Sequence, residues 1–147
     1  MAVEITRLGA GTKYPTAALR KIAASLLRAV KQSGAELSIA VVGDREMRPL
    51  NAKYRKKNQT TDVLSFLVED QPVSGGKILG DVVISVERAR CQAKERGKTL
   101  KSEMVTLLIH GILHLLGYDH EKSPRQARIM FAYERKLYAH LCDRGLL

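Results

Sequence analysis

The chain is poor in the residues that several functional classes depend on. It has two cysteines and no tryptophan, and aromatic residues make up 5%, five Tyr and two Phe. Cys91 and Cys142 are too few for a disulfide framework in 147 residues, so both are expected as reduced thiols on helix faces. So few rings exclude a broad base-stacking platform. The opening Met-Ala-Val-Glu-Ile-Thr-Arg has no basic region leading into a long apolar run, so no signal peptide is read there. The longest apolar stretch, Val105 to Tyr118, is interrupted by Thr106, His110, Gly111, His114 and Gly117, which makes it too short and too polar to span a bilayer. Acids are the minority charge, 15 Asp and Glu against 25 Lys and Arg, for a net +10. Such an excess points to nucleic acid, an acidic surface or simply a soluble basic protein, and the expectation is a cytoplasmic protein with no membrane and no dinucleotide cofactor.

With 45% hydrophobic and 27% charged residues, the chain can bury a core without staples, as one domain over residues 1–147. Strands are expected at Val3–Leu8, Leu37–Val42, Val63–Val68 and Ile78–Ser85, where short apolar runs end in turn residues. The third and fourth are linked by a Pro/Ser/Gly loop at Pro72–Gly76. Helical spacing of Leu19, Ile22, Ala23, Leu26, Leu27 and Val30 marks a first helix, capped by Thr16 and ended by Ser33-Gly34. Asp44 is expected to cap a second helix carrying Met47, Leu50 and Tyr54, with Pro49 awkwardly placed inside it. Three more follow: Val86–Arg96 before Gly97, a helix capped by Thr99 and running through Leu116 to Gly117, and a last one from the Ser123-Pro124-Arg125-Gln126 capping box to about Cys142. No repeat, linker or low-complexity tract interrupts the pattern. The fold class is α+β, a small mixed sheet of about four strands covered by about five helices.

Three of the four histidines fall within eleven residues, His110-Gly-Ile-Leu-His114-Leu-Leu-Gly117-Tyr-Asp-His120. His110 and His114 leave one helix face a turn apart, the spacing at which two imidazoles share a tetrahedral zinc ion. Gly117 permits the chain reversal that swings His120 toward the pair, giving three nitrogen ligands and an open fourth position. His140, far along the last helix, reads as a surface or packing residue. The spacing is that of the metzincin proteases, His-Glu-x-x-His-x-x-Gly-x-x-His, on a zincin-like helix. The protease's general base is absent, because Gly111 stands where that motif needs Glu and a glycine takes no proton from water.

Around this block the chain resembles the YbeY family of bacterial endoribonucleases, the ribosomal RNA maturation factors. The likeness runs from about Leu37 to Glu134. It includes Leu50-Asn51 with Tyr54-Arg55, Thr61-Asp62-Val63-Leu64-Ser65-Phe66, Gly80-Asp81-Val82-Val83-Ile84-Ser85, the histidine block, and Met130 with Glu134. Two positions depart from the family pattern: Asn58, where an acidic residue is usual, and Leu67, where a proline often follows the phenylalanine. The resemblance implies one zinc ion per chain on His110, His114 and His120, and a functionally important Arg55. It also implies single-strand-specific RNA cleavage in 16S ribosomal RNA 3′-end maturation and ribosome quality control, with ribosomal RNA and the small subunit as partners.

Zinc at such a site activates water or polarises a phosphoryl oxygen. Arg55 would hold the scissile phosphate and stabilise its developing charge. Asp119 could orient a ligand histidine or sit as a turn residue facing solvent. Beside Arg55, the basic run Arg45, Arg48, Lys53, Lys56 and Lys57 reads as an RNA-binding face. Two other readings stand: a metal-dependent peptide or amide hydrolase, and a non-catalytic ribosome-binding factor whose zinc is structural.

Overall fold

Strand β1 (Val3–Leu8) leads into helix α1 (Thr16–Ala29), which returns the chain to strand β2 (Ala35–Val42), parallel to β1 from Val3↔Leu37 to Leu8↔Val42. Helix α2 (Asp44–Arg55), strands β3 (Val63–Phe66) and β4 (Lys77–Ser85), and helices α3 (Val86–Arg96), α4 (Leu100–Leu115) and α5 (Pro124–Asp143) complete the order. This computed structural model describes residues 3–9, 13–55, 61–67 and 77–147, without the side chains of Tyr54 and Arg55. The sheet runs β1-β2-β4-β3, with β4 parallel to β2 and β3 antiparallel to β4. Among the described residues, the mixed four-stranded sheet with five helices is the α+β class expected. Val68 and the Pro72–Gly76 loop lie outside the described residues.

Alternation along the strands divides the apolar side chains between the two sheet faces. Leu37, Ile39, Val41, Val63, Val82 and Ile84 pack against the helices, forming the main core with Leu19, Ile22 and Leu26 of α1, Leu108, Ile109 and Ile112 of α4, and Met130 and Leu137 of α5. The opposite face carries a smaller cluster, Val42, Leu64 and Val83 under Met47 of α2, with Leu50 packed against it.

Helix α4 is central. Met104, Val105, Leu107, Leu108, Ile109, Ile112, Leu113 and Leu115 are all buried, which leaves Thr106, His110 and His114, each four residues from the next, as a half-buried polar stripe. At Gly111 the helix lies directly on the sheet. A Cβ there would stand 2.7 Å from Val82 Cγ1 and 3.2 Å from Ser65 Oγ, and the Ser65 hydroxyl donates to the Gly111 carbonyl at 3.0 Å.

Helix ends set by local chemistry fall where expected. Thr99 accepts from the Ser102 amide at 3.0 Å and Ser123 from the Gln126 amide at 3.1 Å. Three ends differ. Helix α1 starts at Thr16 itself, behind Pro15, which makes no side-chain cap. It ends at Ala29 because Lys31, not Gly34, takes the left-handed turn at φ 60°, with the Gln32 amide donating to the Leu27 carbonyl at 2.7 Å. Helix α2 likewise begins at Asp44 rather than after it. Glu46 accepts from the Gly43 amide at 3.2 Å, while Asp44 accepts from the Ser85 hydroxyl at 2.7 Å. Both cysteines are free and exposed, Cys91 on α3 and Cys142 on α5. Among the described residues, no helix is long and apolar enough to cross a membrane.

Candidate metal centre

Two of the three clustered histidines are delivered by α4 and the third by the turn that ends it. His110 and His114 sit on its polar stripe with ring centroids 4.7 Å apart. Past Leu116 the Gly117 amide donates to the His114 carbonyl and the Tyr118 amide to the Leu113 carbonyl, both at 3.0 Å. This double bond pattern requires a left-handed residue after the cap, and Gly117 supplies it at φ 100°. Asp119 continues the reversal by accepting from the Glu121 amide at 2.9 Å. His120 then returns to the helix, 5.0 Å from the His110 ring and 5.5 Å from the His114 ring between centroids. Asp119 thus serves the turn; its hydrogen bond goes to backbone and not to a histidine.

One ligating nitrogen from each ring lies within 4.8 Å of the other two. Nitrogens bound at about 2.05 Å around a tetrahedral zinc ion stand roughly 3.4 Å apart, so small ring rotations close the difference. His120 Nδ1 is buried with no hydrogen-bond partner among the described residues, a polar atom the protein leaves for something else to satisfy. The donor set therefore fits a borderline-soft divalent ion. Among the described residues the cluster holds three such donors and no fourth.

The sequence showed Glu134 as part of a pattern but not what it does. From α5, its Oε2 meets His110 Nδ1 at 2.7 Å, with 18% of the Glu134 side chain and 21% of the His110 side chain exposed. A carboxylate there fixes the ring's orientation and tautomer, leaving Nε2 for an ion. Its neighbour Tyr133 packs edge-on to Tyr118 at 5.4 Å, and burial, then Tyr118, pushes the Tyr133 phenol above its ordinary range. That phenol stays neutral beside the site.

The histidines line a cleft of about 870 Å³ between α4, β3, the turn and α5. Leu67, 67% exposed, and Phe131, 43% exposed, are among its apolar walls, and the Phe131 ring lies 6.1 Å from that of His120. Of the basic residues read as an RNA-binding face, Arg45, Arg48 and Lys53 are exposed on α2, and none lines this cleft. Arg55 is the last residue of α2, its side chain outside the described residues, as are Lys56, Lys57 and Asn58 entirely. His140 lies on α5 away from the cluster.

The family model described as "Endoribonuclease YbeY" matches residues 7–142. A protein named endoribonuclease YbeY from Myxococcus xanthus is 53% identical over 117 residues, covering 78% of this chain and 38% of that one. One from Anaeromyxobacter dehalogenans is 49% identical, covering 81% and 61%. The chain thus spans less than two thirds of each of these relatives. One from Geobacter metallireducens is 40% identical over 90% of both chains. The solution structure of a Thermotoga maritima protein superposes with a TM-score of 0.66 at 26% identity, covering 97% of this chain and 91% of the other.

Proposed function

The chain belongs to the YbeY family, and from that membership we propose that it is a zinc-dependent endoribonuclease specific for single-stranded RNA, acting in 16S ribosomal RNA 3′-end maturation and ribosome quality control. Its partners on this reading are ribosomal RNA and the small subunit, its compartment is the cytoplasm, and residues 1–147 act as one domain. The observation that carries the proposal is the three-histidine cluster, braced by Glu134 at 2.7 Å and open to a cleft large enough for a nucleotide chain.

His110, His114 and His120 would hold the ion, and Glu134 keeps the His110 ring aimed at it. Zinc bound there would supply Lewis acidity toward water or a phosphoryl oxygen. Arg55 holds the scissile phosphate and stabilises charge that grows on its oxygens. Arg45, Arg48, Lys53, Lys56 and Lys57 attract the flanking strand by charge. The close seat of Gly111 on Val82 counts against a peptide or amide hydrolase, since it leaves no room for that chemistry's base. The lack of a fourth histidine, cysteine or carboxylate ligand among the described residues counts against a purely structural ion.

Cleavage of a matched single-stranded and double-stranded RNA pair tests the reading, with His114→Ala purified identically to expose contaminating nucleases. Zinc-loaded wild type should cut the single strand and spare the duplex, and His114→Ala should cut neither. Equal cleavage by His114→Ala, or hydrolysis of peptides instead of RNA, would overturn it.

A further inference from the structure

Four carboxylates, Asp62, Asp119, Glu121 and Glu134, line the histidine cleft and oppose the entry of a polyanion. Among the described residues lining it, Arg96 is the single Lys or Arg. It ends α3, just before the corner at which Gly97 turns left-handed and Thr99 caps α4. Its Nη1 donates to Glu103 Oε2 at 2.8 Å. The two partners are unequal: the Arg96 side chain is 52% exposed, whereas Glu103 is wholly buried.

A buried carboxylate demands its counter-charge, because an unpaired charge in the interior is strongly disfavoured. Arg96 is the partner that Glu103 has among the described residues, and Glu103 Oε1 has none. The guanidinium is therefore pinned at one nitrogen on a half-exposed side chain that lines the cleft. A fixed, planar cation loses little freedom when an anion arrives, and its fork suits phosphate oxygens. Glu103 precedes His110 by seven residues on α4, about 10 Å along the axis at 1.5 Å per residue. Arg96 is thus anchored about two turns up α4 from His110.

We propose that Arg96 is a phosphate-binding subsite for a neighbouring nucleotide of the RNA strand, with the buried Glu103 as its positioning residue. The inference rests on the endoribonuclease reading and deepens it, since it sets the direction of the strand along α4. It also makes binding length-dependent. A dinucleotide, with one phosphodiester, cannot occupy both the histidine centre and Arg96.

The test measures binding of a short 2′-O-methyl single strand to the zinc-loaded full chain across a salt series. Arg96→Met combined with Glu103→Gln removes the cation without leaving a bare buried carboxylate. Arg96→Gln is the second variant, its amide still able to donate to Glu103. Both should bind roughly tenfold more weakly, and the slope of log affinity on log salt should fall by about 0.7, the share of one phosphate on a single strand. Glu103→Gln alone, which loosens Arg96 but keeps its charge, should weaken binding two- to threefold or so and leave the slope unchanged. Wild-type affinity and slope in either folded arginine variant would reduce the pair to a structural pin and overturn the proposal. A wild-type protein that binds no single strand would instead sink the endoribonuclease reading itself.

Discussion

Replacing Glu134 by alanine removes the carboxylate that holds His110 in place without touching a candidate ligand. The 2.7 Å contact joins a carboxylate oxygen to a ring nitrogen, both about four-fifths shielded from water. A hydrogen bond to a charged group in such a setting contributes about 1.5–3 kcal/mol. Losing the support behind a ligand histidine weakens metal affinity by about 10–100-fold, which is about 1.4–2.8 kcal/mol. The two estimates agree, and the residual exposure argues for the middle of the range, a zinc affinity roughly 30-fold weaker. Glu134→Gln should lie between wild type and alanine, because its carbonyl oxygen still accepts from Nδ1 but carries no charge. Alanine is at least as good a helix former as glutamate, so α5 should survive the change. Competition with a chromophoric chelator at fixed pH reads the affinity directly, and thermal melting of the metal-free variants checks the fold. A zinc affinity in Glu134→Ala within twofold of wild type would show that the carboxylate does not orient the ring toward an ion.

Zinc removal should lower the melting temperature: at free zinc 100-fold above Kd, binding contributes about 2.7 kcal/mol, worth roughly 5–10 °C in a chain of this length. Differential scanning calorimetry with and without chelator reads it, and an unchanged transition would mean that no stabilising ion binds. Gly111→Ala should destabilise the fold by about 1–2 kcal/mol, because overpacking against Val82 outweighs the gain in helix propensity. Urea titration checks this, and equal or greater stability would refute the close contact. Arg55→Ala should slow single-turnover RNA cleavage by roughly two to three orders of magnitude with zinc content intact, and Arg55→Lys should recover little. A wild-type rate there would take Arg55 out of the chemistry.

What the sequence shows plainly is whatever neighbouring residues decide. Thr99 and Ser123 cap their helices because the amides they satisfy lie three residues away. Gly117 turns the chain because, lacking a Cβ, it takes the left-handed φ that the backbone bonds closing α4 require. The histidine spacing belongs to the same class, since one helix and one turn assemble all three rings. Where a distant partner intervenes, the local rule fails. Asp44 has the composition of a cap, but Ser85, 41 residues on, claims its carboxylate. Lys31 takes the left-handed turn ahead of Gly34, for which α1 has already ended. Glu134 and Glu103 look like ordinary helix-surface acids until packing sets one against His110 and seals the other beneath Arg96. Gly111 could be read as a missing base, but the reason for its being glycine lies on another element, in Val82.

That contact between Gly111 and Val82 also bears on ancestry. A shared histidine spacing invites the idea that this chain differs from a metzincin by one codon at the position after the first histidine. Here such a step meets a filled space, since any side chain at 111 runs into Val82 Cγ1 at 2.7 Å. The strand residue would have to shrink, or the helix lift off the sheet, before an acid could be tolerated, and each intermediate would carry a packing defect and no new activity. In this chain the obstacle to an acid at 111 thus lies in the sheet rather than in the motif. Positions 111 and 82 are therefore coupled, and a change at one has to be answered at the other.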